Sequence, residues 1–168
     1  MFISFIIFAI FAITMIAAAY SDATTMKIPN VISLILIAAF FLMQPFIFQG
    51  WDVLGTHLIV GGVFFLVGFA MFAFGWLGGG DAKLMAATAL WWQWSDVAMY
   101  ISYTTLVGAA LAIILLFGRK ILPVNVLMSQ IPLAMFKEEK NMPYGLALAA
   151  GALLTLPHSA IFLQAVGV

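Results

Sequence analysis

The sequence predicts an all-α fold: a polytopic membrane helix bundle of about six spans, forming one domain over residues 1–168. Three observations predict it. Of the 168 residues, 66% are hydrophobic and only 7% charged, with a mean hydropathy of +1.21. A water-soluble domain could not bury that much apolar surface. The apolar residues also come in stretches close to the roughly 20 needed to cross a bilayer. Finally, the basic residues gather in or beside alternate connections, as they do in multi-pass membrane proteins.

The apolar stretches are 2–20, 30–48, 56–76, 82–97, 98–117 and 143–165. No Lys or Arg precedes the first, so the charged region of a signal peptide is missing; despite Ala17-Ala18-Ala19 it reads as a retained helix. Asp22 is expected in the connection that follows. Pro29 suits the first turn of the second helix and biases Ile28 towards an extended conformation. Gly61 and Gly68 fall on the third helix, where small residues let helices pack closely. The fourth stretch is the weakest. Its apolar core, Leu84 to Trp94, needs a thinned bilayer or shielding by protein, and a tight turn is expected around Gln93 to Val97. In the connection 118–142, Ile121 to Phe136 is apolar but interrupted by Pro123 and Pro132. It is expected to lie along the interface rather than span. Gly145, Ala149 and Ala152 fall near one face of the last helix and read as ordinary packing positions.

Lys27, Lys83, Arg119, Lys120, Lys137 and Lys140 all sit in or beside the odd-numbered connections, whereas the even ones carry Asp52 and Asp96. The positive-inside rule then places Asp22 and Asp81 at the cytoplasmic face and both termini outside. Trp76 falls near the inner boundary, and Trp51, Trp91, Trp92 and Trp94 near the outer one, as an aromatic belt would.

Several chemistries are excluded. There is no cysteine, hence no disulfide, thiol nucleophile or Cys-based zinc site. Net charge is zero without a basic run, so nucleic acid is not an expected partner. His57 and His158 lack ligand partners at metal-binding spacing, and neither a metal nor another cofactor is expected. What stands out is Asp22 and Asp81, ionisable groups beside lipid, where they are costly and often functional. Two carboxyls brought together could share a proton, one activating water while the other polarises a carbonyl. Gly78, Gly79 and Gly80 precede Asp81, leaving the backbone unencumbered and free to adopt positive φ. Asp81 itself is expected near a helix N-cap, where the helix dipole favours negative charge. Asp52 and Asp96 are expected to be replaceable by Asn with little loss.

Two motifs then carry a resemblance. One is Asp22 followed six positions later by Ile28-Pro29-Asn30; the other is Gly78-Gly79-Gly80-Asp81-Ala82-Lys83-Leu84 with Ala86-Ala87 beyond. Pro143 to Gly151 adds a third matching segment. The chain resembles the type IV prepilin peptidases, membrane aspartyl proteases of the GxGD kind, and most of all the short forms serving Flp (tight-adherence) pili. The resemblance implies a bacterial inner-membrane enzyme with Asp22 and Asp81 as its catalytic pair and no metal. Its substrate would be a prepilin or pseudopilin precursor, cleaved at the cytoplasmic side after a Gly in the leader. Gly78, Gly79, Gly80, Lys83, Ile28, Pro29 and Asn30 would support substrate binding or the motif, with Lys83 pairing with Asp81 or with lipid phosphate. The Cys-rich segment of longer relatives is absent, so methylation is not implied. Thr24 and Thr25 stand where relatives commonly carry basic residues. Two other readings stay open on the residues alone: a cation-coupled transporter subunit using the acids as ion ligands, and a pilus or secretion assembly scaffold in which they are dispensable.

Overall fold

The computed structural model of the protein describes residues 2–121 and 142–167. Helix α1 covers Phe2–Thr25, α2 Asn30–Ile47, α3 Trp51–Ala73, α4 Gly79–Ala89, α5 Trp94–Ile121 and α6 Tyr144–Thr155; a 3₁₀ turn at Leu156–His158 then leads into α7, Ala160–Val166. The described residues contain no strand. Among the described residues, α1, α2, α3 and α5 are each long and apolar enough to cross a membrane, making four, or five if the bent pair α6–α7 is one span.

Three boundaries differ from the sequence reading. α1 continues through Thr25, so Asp22 lies in its last turn and not in a connection. α4 has 11 residues, a length of about 16 Å and roughly half a bilayer's hydrocarbon thickness. It survives because protein shields it: it packs against α2, α3 and α6, and Leu84, Thr88 and Ala89 are fully buried. The last span is broken by Pro157 and bends by 43°. The expected interfacial stretch after Ile121, with Lys137 and Lys140, lies outside the described residues.

Each long helix is apolar all round, with one face turned inward. On α1, Phe11, Met15 and Ala18 are fully buried while Ile13, Ile16 and Tyr20 are exposed. On α2 the inward face is Ile32, Leu36, Phe40, Met43 and Ile47, the helical repeat of a packed stripe. Glycines set the closest approaches. Gly61 faces Leu90, and Gly68 faces the backbone of Ala82 at a separation where an added Cβ would be only 3.3 Å away. α3 and α4 therefore lie against each other in antiparallel register.

The tryptophans divide differently from a simple belt. Trp51, Trp76 and Trp94 are exposed, but Trp91 and Trp92 are completely buried. Trp91 packs on Phe11 with ring centroids 4.7 Å apart, and Trp92 packs on Tyr100 at 5.6 Å. This aromatic cluster fills the half of the bundle remote from Asp22 and Asp81. Asp96 completes that end. Its buried carboxylate accepts the Gln93 N–H at 2.9 Å and the Ala160 N–H at 3.2 Å. It thus caps its own helix and ties α5 to the start of α7. Asp52 is exposed.

Candidate functional site

At the opposite end the chain brings its two acid motifs together. α1 stops because Met26 adopts a left-handed conformation (φ 55°), with its N–H donating to the Asp22 carbonyl at 2.9 Å. That is an αL C-cap on a residue other than glycine. The hydroxyls of Thr24 and Thr25 donate to the carbonyls of Tyr20 and Ser21, each at 2.7 Å. These are back-bonds to carbonyls one turn earlier, which keep both hydroxyls occupied on their own helix. Lys27 and Ile28 then lead to Pro29, which is extended (φ −61°, ψ 139°) and precedes the first residue of α2 instead of occupying it.

The glycine run lies directly against this segment. A Cβ on Gly80 would sit 3.1 Å from the Ile28 Cβ and 3.3 Å from its carbonyl oxygen; one on Gly79 would meet Phe72 at 3.2 Å, and one on Gly78 would meet Asp81 Oδ2 at 2.8 Å. None of the three takes a positive φ. Their smallness serves close approach, and the conformational freedom is used one turn earlier. Gly75, at φ 73°, ends α3, and the Trp76 N–H reaches back to the Met71 carbonyl at 2.9 Å, a Schellman closure. Asp81 is the third residue of α4 rather than its cap; Gly78 occupies the cap position.

Asp22 and Asp81 line two adjoining cavities. One, about 420 Å³, also takes in Met26, Gly75 to Gly78, Met142 and Tyr144. The other, about 370 Å³, is walled by Met26 to Ile28 and Gly78 to Gly80. The acids thus face common space, although they are far apart in sequence. A third element, α6, completes the site. Asp22 Oδ2 accepts the Leu146 N–H at 3.1 Å, and the Gly145 N–H lies close to both carboxyls. An aspartate in the last turn of α1 faces the negative end of its own helix dipole; the free N–H groups at the start of α6 offset that cost. Gly145 leaves room for both side chains here: a Cβ would lie 2.9 Å from Asp22 Oδ2 and would overlap the Ile28 side chain, so both would have to shift. Sequence reasoning took Gly145 for packing alone. A signal that could have found it was the matching segment from Pro143 to Gly151, which opens a helix with a glycine in its first turn.

The two acids are held differently. Asp22 is only 4% exposed and has its amide partner. Asp81 Oδ1 is buried with no hydrogen-bond partner among the described residues. Burial raises the Asp81 carboxyl from 3.8 to about 7; the nearby Asp22 raises it further within that shift, and the Gly78 and Gly145 N–H groups act in opposition. Lys83 does not partner Asp81. It is exposed, and its Nζ donates to Asn30 Oδ1 at 3.0 Å, tying the two motifs together beside the acids. Among the described residues no group of three or more His, Asp or Glu side chains is arranged to hold a metal. His57, far from the acids, is buried with Nδ1 3.0 Å from the Leu90 carbonyl.

Comparison with curated proteins gives no match, and neither does comparison with solved structures. A family model does match, over residues 9–114, more than half of the chain and a span that includes both acid motifs. The chain belongs to the type IV leader peptidase family, and is thereby a peptidase and a multi-pass membrane protein.

Proposed function

We propose that the protein is an aspartyl endopeptidase that removes the leader from Flp-like type IV prepilins at the cytoplasmic face of the inner membrane. Residues 1–168 act as one membrane-embedded peptidase domain, with both termini outside. Asp22 and Asp81 are the catalytic pair. The observation that carries the reading is that a buried Asp22 and a half-buried Asp81, from separate motifs, border the same cavities, with Asp81 raised towards neutrality by desolvation and by its partner.

In this mechanism the pair holds one proton. Asp22, whose Oδ2 accepts the Leu146 N–H, is the ionised member because Asp81 is the acid raised to about 7 by burial and by its neighbour. It takes a proton from water as the water oxygen attacks the scissile carbonyl carbon. Asp81, protonated, donates to the carbonyl oxygen. Collapse of the tetrahedral diol breaks the C–N bond, and a proton passes to the departing amine. Gly78 to Gly80 give an extended leader room beside the acids, and Ile28, Pro29, Asn30 and Lys83 hold that wall in place. An ion-coupled transporter would hold its acids near the bilayer midplane; here they lie in the last turn of α1 and the first of α4.

The test is co-expression with a tagged Flp-type prepilin, following the precursor's size shift. Asp22→Asn and Asp81→Asn should each abolish processing, with a loss on the order of 10³-fold or more, while the protein still inserts. Normal cleavage by either variant removes the shared-proton mechanism.

A further inference from the structure

An open cleft runs away from the acids between α3 and α5. It has a volume of about 450 Å³, and its walls present only apolar surface. Met71 and Phe64 line it from α3, and Ile101, Thr105 and Ala109 from α5; Ala147 and Leu148 form part of its floor. The α5 residues follow at intervals of four, so one continuous helical face borders the cleft. α3 packs on α4, and α5 on α6. Among the described residues, rings meet across the gap towards the far end, Phe64 and Tyr100 with centroids 6.0 Å apart. Leu77, Met142 and Tyr144 belong both to this cleft and to the cavity holding Asp22 and Asp81.

We propose that this cleft is the docking groove for the apolar helix of the precursor, with the leader junction continuing past Leu77, Met142 and Tyr144 to the acids. The inference rests on the prepilin peptidase reading. From Ala109 to Tyr100 the groove covers about 13 Å, or some nine residues of a parallel helix. An apolar groove ending in a polar, acid-lined chamber matches a substrate whose cleavage site immediately precedes a hydrophobic helix. A second groove, bounded by Leu34, Ile37, Gly62 and Phe65, is a poorer match. Asn30 and Lys83 make one side of it polar, and it shares no residue with either acid-lined cavity.

The test is photocrosslinking in membranes. A benzoylphenylalanine is placed at Ala109, at Leu34, or at the lipid-facing Ile13, each in the Asp81→Asn background, with a tagged Flp-type prepilin co-expressed. The expected result is a precursor adduct at Ala109, at least tenfold stronger than at Leu34 or Ile13. An adduct mainly at Leu34 moves the substrate to the other groove and overturns the proposal. So does an Ala109 probe that captures only lipid, only residues of its own chain, or nothing. A second measurement uses the otherwise unaltered enzyme: Ala109→Trp, at an exposed position, should raise KM for the full-length precursor about tenfold with kcat little changed, and Ile13→Trp should not. A KM unchanged in Ala109→Trp counts against the groove. If the Asp81→Asn protein cleaves the precursor normally, the catalytic reading fails instead, and the adduct pattern still reports where the helix binds.

Discussion

Replacing Gly145 by alanine adds a single carbon at the point where α6 meets the first acid. That carbon would sit 2.9 Å from Asp22 Oδ2 and 3.1 Å from its Cγ, and would overlap the Ile28 side chain. Ordinary contact begins near 3.4 Å, so the Asp22 carboxyl has to retreat by about 0.5 Å. Such a retreat strains its 3.1 Å bond to the Leu146 N–H. If a 1 Å misplacement of reacting groups costs on the order of 10²-fold, half that displacement costs about tenfold, or about 1.4 kcal/mol of transition-state stabilisation. Overpacking costs folding about 1–3 kcal/mol, so the two effects need separate readouts. The assay is the single-turnover cleavage rate of a tagged prepilin in vesicles, normalised to folded enzyme from thermal melting in detergent. Gly55→Ala is the control, since nothing lies within 4 Å of a Cβ there. The expected outcome is a roughly tenfold slower rate per folded molecule for Gly145→Ala and an unchanged rate for Gly55→Ala. A Gly145→Ala enzyme cutting at the normal rate refutes the claim that this glycine makes room for the acid.

Four further predictions concern charge. Because burial and Asp22 hold the Asp81 carboxyl near 7, cleavage should decline as pH rises through about 7 and the pair loses its shared proton; a rate that climbs above that pH counts against the assignment. The same shift acts on folding. The unfolded chain releases this proton near 3.8 and the native protein near 7, so between those values the native state binds more protons and stability falls with rising pH, levelling off above the native value; melting curves of Asp81→Asn should lose that slope. Asp96→Ala should destabilise by about 1–3 kcal/mol for each amide donor it orphans, with the cleavage rate per folded molecule unaffected, and a variant as stable as the parent would show that the Ala160 contact contributes nothing. Lys83 and Asn30 form an exposed pair, so a double-mutant cycle between them should give a coupling below about 1 kcal/mol, and a larger value would mean that the pair is shielded in the membrane.

The separation of legible from illegible features follows interaction range. Composition and the length of apolar stretches report the solvent, and they gave the helical membrane bundle directly. Both acids and the glycine run were visible because ionisable groups and clustered glycines are conspicuous among Leu, Ile and Phe. The extent of α4 was not legible. A helix of that length is held by α2, α3 and α6 around it, with Gly61 and Gly68 letting α3 approach closely, and these are tertiary contacts. Trp91 and Trp92 read as interfacial because tryptophan often is, but the burial of Trp91 against Phe8, Phe11 and Phe40, and of Trp92 against Phe11 and Tyr100, depends on which helices surround them. The break in the last span had a local signal, Pro157, whose weight was missed.

By itself, then, the sequence determined that this chain is a helical membrane protein and that Asp22 and Asp81 belong to two recognisable motifs, and its charge pattern led to the expectation that both lie at one face. It could do so because hydrophobic transfer, proline and glycine geometry and the distribution of basic residues are local quantities. Only the tertiary structure decided that the acids border common cavities, that the N-terminus of α6 supplies their amide donors, that the glycines serve close approach instead of positive φ, and that an apolar cleft opens onto the site. Each of these depends on distances between helices remote in sequence, set by side-chain packing that no stretch of the chain specifies alone.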